Sequence, residues 1–111
     1  MPATTLGGGD PLLDEVRRRL LSDLDPPPEK IVVFGSRARG NARPDSDLDL
    51  LIVLRTDGTP GQRGVLVRRP LRQLGVAMDI LVYTPEEYER YRAYPSSVVR
   101  AAEREGIVLH G

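Results

Sequence analysis

The chain contains no cysteine and only one histidine, His110, among its 111 residues. Disulfide bonds and thiolate metal sites are therefore excluded, and one imidazole cannot form a zinc site by itself. No apolar run approaches the roughly 20 residues that a membrane-spanning helix needs. The N-terminus also lacks the basic and apolar regions of a signal peptide. We therefore expect a cytoplasmic protein without a membrane partner.

An excess of charge of either sign is also missing, since 16 basic and 16 acidic residues balance to a net charge of zero. This balance disfavours a protein that binds nucleic acid through bulk positive charge. The composition, 40% apolar and 29% charged, is typical of a globular chain. We expect a disordered, glycine-rich tail at residues 1–9 and one domain at residues 10–111.

The spacing of apolar residues and the local stop signals predict a sequence of alternating strands and helices. Strands are predicted at residues 30–34, 47–54, 76–83 and 107–109. Helices are predicted from residue 11 to about 24, at 36–40 as a short helix or loop, and at 64–74 and 85–92. Asp10 is expected to cap the first of them, and Thr84 and Glu87 to form a capping box for the one at 85–92. A last helix, capped by Ser96 or Ser97, should run to about Glu105 and end at Gly106. Pro70 must kink or divide the third of these helices, and Gly75 fits the cap at its C-terminal end.

Two carboxylates open the second predicted strand, at Asp47 and Asp49. Residues two apart in a strand project to the same face, so both side chains should leave the sheet together. Like charges on one face repel each other unless a cation lies between them, and Mg²⁺ prefers carboxylate and phosphate oxygens. The alternative is that both aspartates only form turn hydrogen bonds before the strand.

A possible phosphate-binding turn lies between the first strand and the short helix, at Gly35-Ser36. Free backbone N–H groups at such a turn attract phosphate oxygens, and glycine permits close approach. Arg37, Arg39 and Arg43 add positive charge nearby. Taken alone, the same residues fit an ordinary strand-to-helix turn with surface arginines.

A third carboxylate, Asp79, interrupts the apolar third strand between Met78 and Ile80. A carboxylate inside an apolar strand is costly unless it is paired with a cation, so the alternatives are a salt bridge to an arginine and a metal site. Three carboxylates on neighbouring strands beside a phosphate-binding turn could hold two Mg²⁺ ions. Such a pair of ions promotes in-line phosphoryl or nucleotidyl displacement.

These residues resemble the signature of the DNA polymerase β-type nucleotidyltransferase superfamily: Gly35-Ser36, ten further residues, then Asp47-Leu48-Asp49. Segments 36–40 and 46–50 are similar, almost residue for residue, to the motif of its minimal nucleotidyltransferase group. Asp79 falls where that family has its third carboxylate, and segment 105–109 resembles the ending of the group. The composite motif is specific, whereas each part alone is common.

The resemblance implies an α/β (α+β) fold, in which a small mixed β-sheet is flanked by helices. It also implies a metal and catalytic role for three carboxylates. Asp47 and Asp49 would bind two Mg²⁺ ions, and Asp79 would bind the second ion and help to deprotonate the acceptor hydroxyl. Gly35 and Ser36 would hold the β- and γ-phosphates of a nucleoside triphosphate, expected to be ATP.

Arg37 and Arg39 are assigned to nucleotide binding on the same grounds. Related minimal proteins are antitoxins that adenylylate a tyrosine on a HEPN-domain ribonuclease toxin, which predicts a protein adenylyltransferase with a HEPN-domain partner. Because no further domain is predicted, the acceptor would be selected by a partner chain or a self-dimer.

Two other functions remain open at this stage. The chain could be a non-catalytic antitoxin of the same fold that acts by occlusion, or a transferase for a small molecule or an RNA end. The short length and the neutral charge disfavour RNA, although the arginines between residues 63 and 72 keep that acceptor open.

Overall fold

The computed structural model describes residues 10–40, 42–43 and 45–111 of the chain. Its helices are α1 (Pro11–Asp23), α2 (Ser36–Arg39), α3 (Pro60–Arg68), α4 (Pro85–Arg92) and α5 (Val98–Glu105). Its strands are β1 (Lys30–Phe34), β2 (Leu48–Val53), β3 (Met78–Tyr83) and β4 (Ile107–His110). The tail predicted to be disordered, residues 1–9, lies outside the described residues. No described helix has the length and apolar character needed to cross a membrane.

The four strands form one mixed sheet in the order β3-β2-β1-β4. Strand β1 pairs antiparallel with both β2 and β4, whereas β2 and β3 are parallel. The parallel pair is connected through α3, as a crossover between parallel strands requires. A mixed sheet flanked by helices confirms the predicted α/β (α+β) fold.

Helices cover both faces of the sheet, and this explains why β2 is apolar over most of its length. One face packs against α1 and α3 in a core that includes Leu20, Leu50 and Val67. The opposite face packs against α4 and α5 in a second cluster that includes Leu51 and Val99. Since neighbouring residues of a strand alternate between the faces, a strand covered on both sides must be apolar at nearly every position.

The capping signals in the sequence place most helix boundaries correctly. The Asp10 side chain accepts hydrogen bonds from the first backbone N–H groups of α1, and Thr84 and Glu87 form the predicted capping box of α4. Of the two serines considered as the cap of α5, Ser97 accepts from the N–H of Arg100, and Gly106 ends that helix. These bonds satisfy donors that the first turn of a helix otherwise leaves without a partner.

The prediction of a helix at residues 64–74 was wrong by about one turn at its start and by nearly two turns at its end. Helix α3 begins at Pro60, because Thr59 and Gln62 form a second capping box, and it ends at Arg68. Pro70 has no backbone N–H to continue the helix, so the chain passes into turns. Gly75 does have a positive φ of 75°, but it lies beyond the turns and does not cap the helix.

Candidate active site

Three strands bring the predicted site residues to one end of the sheet. Phe34, at the end of β1, lies opposite Asp49 near the start of β2, and Asp49 lies in register with Asp79 on β3. Partners in register project to the same side of a sheet, so the two aspartates share the face covered farther along by α4 and α5. Gly35 directly follows Phe34, and the turn and the carboxylates therefore meet at this end.

The turn at Gly35 is shaped around the carboxylate of Asp49. Gly35 has φ 73° and ψ −153°, a backbone conformation essentially restricted to glycine. A Cβ atom built at this position would collide with Oδ2 of Asp49 and would lie 3.1 Å from its Cγ. The backbone carbonyl of Gly35 accepts from the N–H groups of Ala38 and Arg39, at 3.1 and 3.2 Å, and so begins the short helix α2. Glycine is thus required here both by the conformation and by the close approach.

The three carboxylates repel one another electrostatically. Burial raises the pKa of Asp49, the negative charges of Asp79 and Asp47 raise it further, and the positive charge of Arg39 partly opposes them. Asp49 is half-buried, whereas Asp47 and Asp79 are exposed. The site therefore disfavours its own negative charge, and a cation bound between these oxygens would relieve that repulsion.

The exposure of Asp79 corrects one step of the sequence argument. That argument treated Asp79 as a costly carboxylate inside an apolar strand, but it lies near the start of an edge strand and reaches solvent. Burial in the core therefore cannot be the reason why Asp79 needs a cation. Its register with Asp49, across the sheet from Phe34, is the observation that places it in the site.

The carboxylate oxygens suit a hard divalent cation, although the ligands are not assembled in advance. Asp47, Asp49 and Asp79 offer only oxygen donors, the chemistry that Mg²⁺ prefers. Within residues 10–40, 42–43 and 45–111, no three His, Cys, Asp or Glu side chains are grouped closely enough to hold a metal ion. The donor set thus fits the implied metal in chemistry and in charge, and a rotation of the exposed side chains would be needed to complete the site.

The two arginines assigned to the nucleotide have different surroundings. Nη2 of Arg37 donates to the backbone carbonyl of Ser46 at 2.8 Å, which ties α2 to the residue that precedes Asp47. Arg39 is exposed, and its charge acts on Asp49. Arg37 thus positions the loop of the first carboxylate, a role that the sequence analysis missed, while Arg39 is available to an anionic ligand. Ser36, the first residue of α2, is half-buried.

Sequence reasoning also missed a cavity of about 300 Å³ beside β3, the edge strand of the sheet. Its lining includes Pro60, Leu81, Tyr83 and Tyr91, with Arg63 and Glu87 as the charged residues. The alternation of Asp79, Leu81 and Tyr83 along β3 was the available signal, since it puts all three side chains on one face.

Comparison with known proteins shows the family of the chain. Residues 13–109 match the nucleotidyltransferase domain family, so the chain belongs to that family. A search of curated proteins found no match. Among solved structures, the chain is similar to the crystal structure of a "putative nucleotidyltransferase" from Sulfolobus solfataricus. The two are 28% identical, the match covers 78% of this chain and 85% of the other, and the TM-score is 0.47. Members of this family transfer a nucleotidyl group from a nucleoside triphosphate.

Proposed function

We propose that this chain is a Mg²⁺-dependent protein adenylyltransferase that moves AMP from ATP to a hydroxyl group of a partner protein. By the resemblance of its motifs, that partner is a HEPN-domain toxin, the acceptor is a tyrosine, and the chain is the antitoxin of the pair. The observation that carries the transfer reaction is the row formed by Gly35, Asp49 and Asp79 across three strands. In this row the proposed phosphate-binding turn contacts Asp49, and Asp49 lies in register with Asp79.

Each part of the row has a distinct role in this proposal. The backbone N–H groups after Gly35, together with the Ser36 hydroxyl, hold the β- and γ-phosphates, which leave as pyrophosphate. Asp49 and Asp47 provide oxygen ligands beside that turn. When bound there, Mg²⁺ neutralises the phosphate charge and polarises the phosphorus–oxygen bond that breaks. Asp79, exposed at the outer edge, accepts the proton of the attacking hydroxyl.

The openness of the site favours a macromolecular acceptor. Two of its three carboxylates, Asp47 and Asp79, are exposed, and Asp79 stands on the edge strand of the sheet. Around exposed carboxylates, a free small molecule would contact few protein groups that could orient it. A folded partner docked on the surrounding surface would instead supply that orientation through its own contacts.

The test compares Asp49→Asn with the wild type and with Asp45→Asn as a matched control. Asp45 is an exposed aspartate of the neighbouring loop, so its substitution removes the same charge outside the row. Each protein is incubated with α-phosphate-labelled ATP, Mg²⁺ and a lysate of the source cells. We expect Asp49→Asn to lower labelling of a discrete protein band by at least about 100-fold, the scale of a lost catalytic group, and Asp45→Asn to change it little.

A second readout separates catalysis from folding and from simple occlusion. Thermal unfolding should show that Asp49→Asn is as stable as the wild type or more stable, because the change removes one of three repelling charges. Full labelling by a folded Asp49→Asn variant would contradict the proposed site. A variant that no longer labels its partner, yet still neutralises the partner's toxicity completely, would show instead that the chain acts by binding alone.

A further inference from the structure

We infer that the cavity beside β3 binds an apolar side chain of a polypeptide acceptor, two to four residues away from the hydroxyl that is modified. This inference rests on the proposed transfer to a protein and adds the conformation and the contact by which the acceptor is held. It assigns a substrate-docking role to Leu81, Tyr83 and Tyr91, which lie outside the row of catalytic residues.

The direction of the reaction places the acceptor on the β3 side of the site. In an in-line displacement, the attacking group and the leaving group lie on opposite sides of the phosphorus atom. Pyrophosphate leaves on the side of Gly35, at the end of β1, and β3 is two strands away in the same sheet. Since neighbouring strands are about 4.8 Å apart, the acceptor approaches over Asp79 from the open edge.

The β3 strand connects the site to the cavity along one face. Asp79, Leu81 and Tyr83 alternate with residues of the other face, so their side chains follow one another at about 7 Å intervals. The Tyr83 ring contacts the ring of Tyr91 from α4, with 5.5 Å between the centroids. The row of side chains that starts at Asp79 therefore ends, roughly 7–13 Å away, at the paired rings of Tyr83 and Tyr91. Two to four residues of an extended polypeptide cover that distance.

The size and the charge of the cavity favour a side chain over a nucleotide. At about 300 Å³, its volume is at the lower limit of cavities that hold whole small molecules. Its charged wall is the pair of Arg63 and Glu87, joined at 2.7 Å and 3.2 Å. Because the two charges compensate each other, the wall offers no excess positive charge to a phosphate backbone. An apolar side chain of a neutral polypeptide matches the aromatic and aliphatic part of the lining.

The backbone of β3 offers an additional contact to a polypeptide. Alternate residues of this edge strand point their N–H and C=O groups away from β2: Met78, Ile80 and Val82. Arg68 and Arg63 donate to the carbonyls of Met78 and Val82, at 3.5 and 3.4 Å. Ile80 lies between them in the cavity lining. The edge is thus covered at both flanks, and a bound segment would pair with it over about one residue rather than as an added strand.

Because the chain contains no cysteine, a single introduced thiol can be alkylated selectively to block the cavity. Pro60→Cys places a thiol in the lining, while Gly61→Cys places one at the adjacent exposed residue, where a Cβ meets no atom within 4 Å. Each variant is alkylated with a bulky maleimide. The readouts are labelling of protein in a source-cell lysate by α-phosphate-labelled ATP, and ATP binding measured by saturation-transfer NMR with Mg²⁺ present.

We expect alkylated Pro60→Cys to lose at least tenfold in protein labelling while it keeps wild-type ATP binding. Alkylated Gly61→Cys and both unalkylated variants should label protein as the wild type does. Equal labelling by the two alkylated variants would overturn the inference. So would a loss of ATP binding in alkylated Pro60→Cys, because the cavity would then hold the nucleotide.

The same experiment separates this inference from the proposed function. Label on RNA alone, or no label on protein with the wild type, would overturn the inference of a polypeptide acceptor. Nucleotide binding by the wild type that Asp49→Asn weakens would still support the metal and phosphate site in that case. Protein labelling that depends on Asp49 but not on the cavity would leave the proposed function intact and overturn only the docking role.

Discussion

Replacing Gly35 with alanine tests the central contact of the site, because the change adds one methyl group against the Asp49 carboxylate. Two costs are expected. The backbone conformation at φ 73° and ψ −153° is essentially restricted to glycine and costs an alanine about 1–3 kcal/mol. In addition, the new Cβ would overlap Oδ2 of Asp49, so Asp49 must leave its present rotamer or the turn must move.

Gly40→Ala is the matched control for the first of these costs. Gly40 also has a positive φ, 81°, but a Cβ there meets no atom within 4 Å. Its conformation is left-handed helical and costs an alanine about 1–2 kcal/mol. We therefore expect both variants to lose stability in urea unfolding, with Gly35→Ala losing more. Only Gly35→Ala should also lose the proposed AMP transfer, because only there is Asp49, the proposed metal ligand, displaced.

A double substitution isolates the contact itself. In an Asp49→Ala background the colliding oxygen is gone, and the remaining Cβ of residue 49 would lie 3.4 Å from the added methyl group, an ordinary contact distance. Gly35→Ala should therefore cost less stability in that background than in the wild type. Equal costs in the two backgrounds, together with full transfer activity of Gly35→Ala, would refute the assignment of this turn to the site.

Three further predictions concern the framework around the site. Glu87→Gln should cost about 1–3 kcal/mol in urea unfolding at pH 7, because it leaves the guanidinium of Arg63, 9% exposed, with a weaker partner. Arg63 holds the pKa of Glu87 below its ordinary value, so this stabilisation should disappear as the pH falls below about 4. Tyr88→Phe should cost about 1–2 kcal/mol at pH 7 through the lost hydrogen bond to Glu103. Burial and this bond raise the pKa of Tyr88, so wild-type stability should fall as the pH rises above about 10, and the variant should fall less. Gly106→Ala should lower the melting temperature by several degrees, because its Cβ would overlap backbone atoms of two neighbouring elements.

Each of these predictions has a clear contrary result. If the difference in unfolding free energy between Glu87→Gln and the wild type did not become smaller in acid, the ion pair would not be the source of the stability. If the stability of Tyr88→Phe and of the wild type fell equally at alkaline pH, the ionisation of the Tyr88 phenol would not be the cause of the loss. A Gly106→Ala variant with an unchanged melting temperature would mean that the end of α5 moves freely enough to admit a methyl group.

Much of the site could be predicted from the sequence because its signals are local. A β-branched run ended by Gly35-Ser36 predicts a strand and a turn, and β1 has the predicted bounds. The period of two along the predicted strand at 47–54 predicts that Asp47 and Asp49 leave the sheet together. Strand β2 begins only at Leu48, but the charge of Asp47 still raises the pKa of Asp49. Each of these predictions needs only a few consecutive residues and the geometry of one strand.

The parts that could not be predicted depend on contacts between distant residues. The exposure of Asp79 follows from the position of β3 at the edge of the sheet. The residues of the strand itself do not indicate that position. The cavity forms at that edge because Pro60 of α3 and Tyr91 of α4 both line it. The error in α3 has a local cause, since the capping pair at Thr59 was present in the sequence and was overlooked in favour of the apolar spacing.

Several arginines donate hydrogen bonds to backbone carbonyls and so connect segments that are far apart in the chain. Arg17 reaches the carbonyl of Leu109, 92 positions away, and Arg19 reaches those of Pro70 and Arg72 with one nitrogen. Nε of Arg19 donates at the same time to Glu15. A lysine has a single nitrogen and cannot take the positions of both Nε and Nη1. Recoding these positions as lysine would therefore leave the net charge, the isoelectric balance and the hydropathy almost unchanged, yet it would remove ties between segments that are far apart in the chain. Replacing these arginines by lysine would therefore keep the charge but lose hydrogen bonds that hold distant segments together.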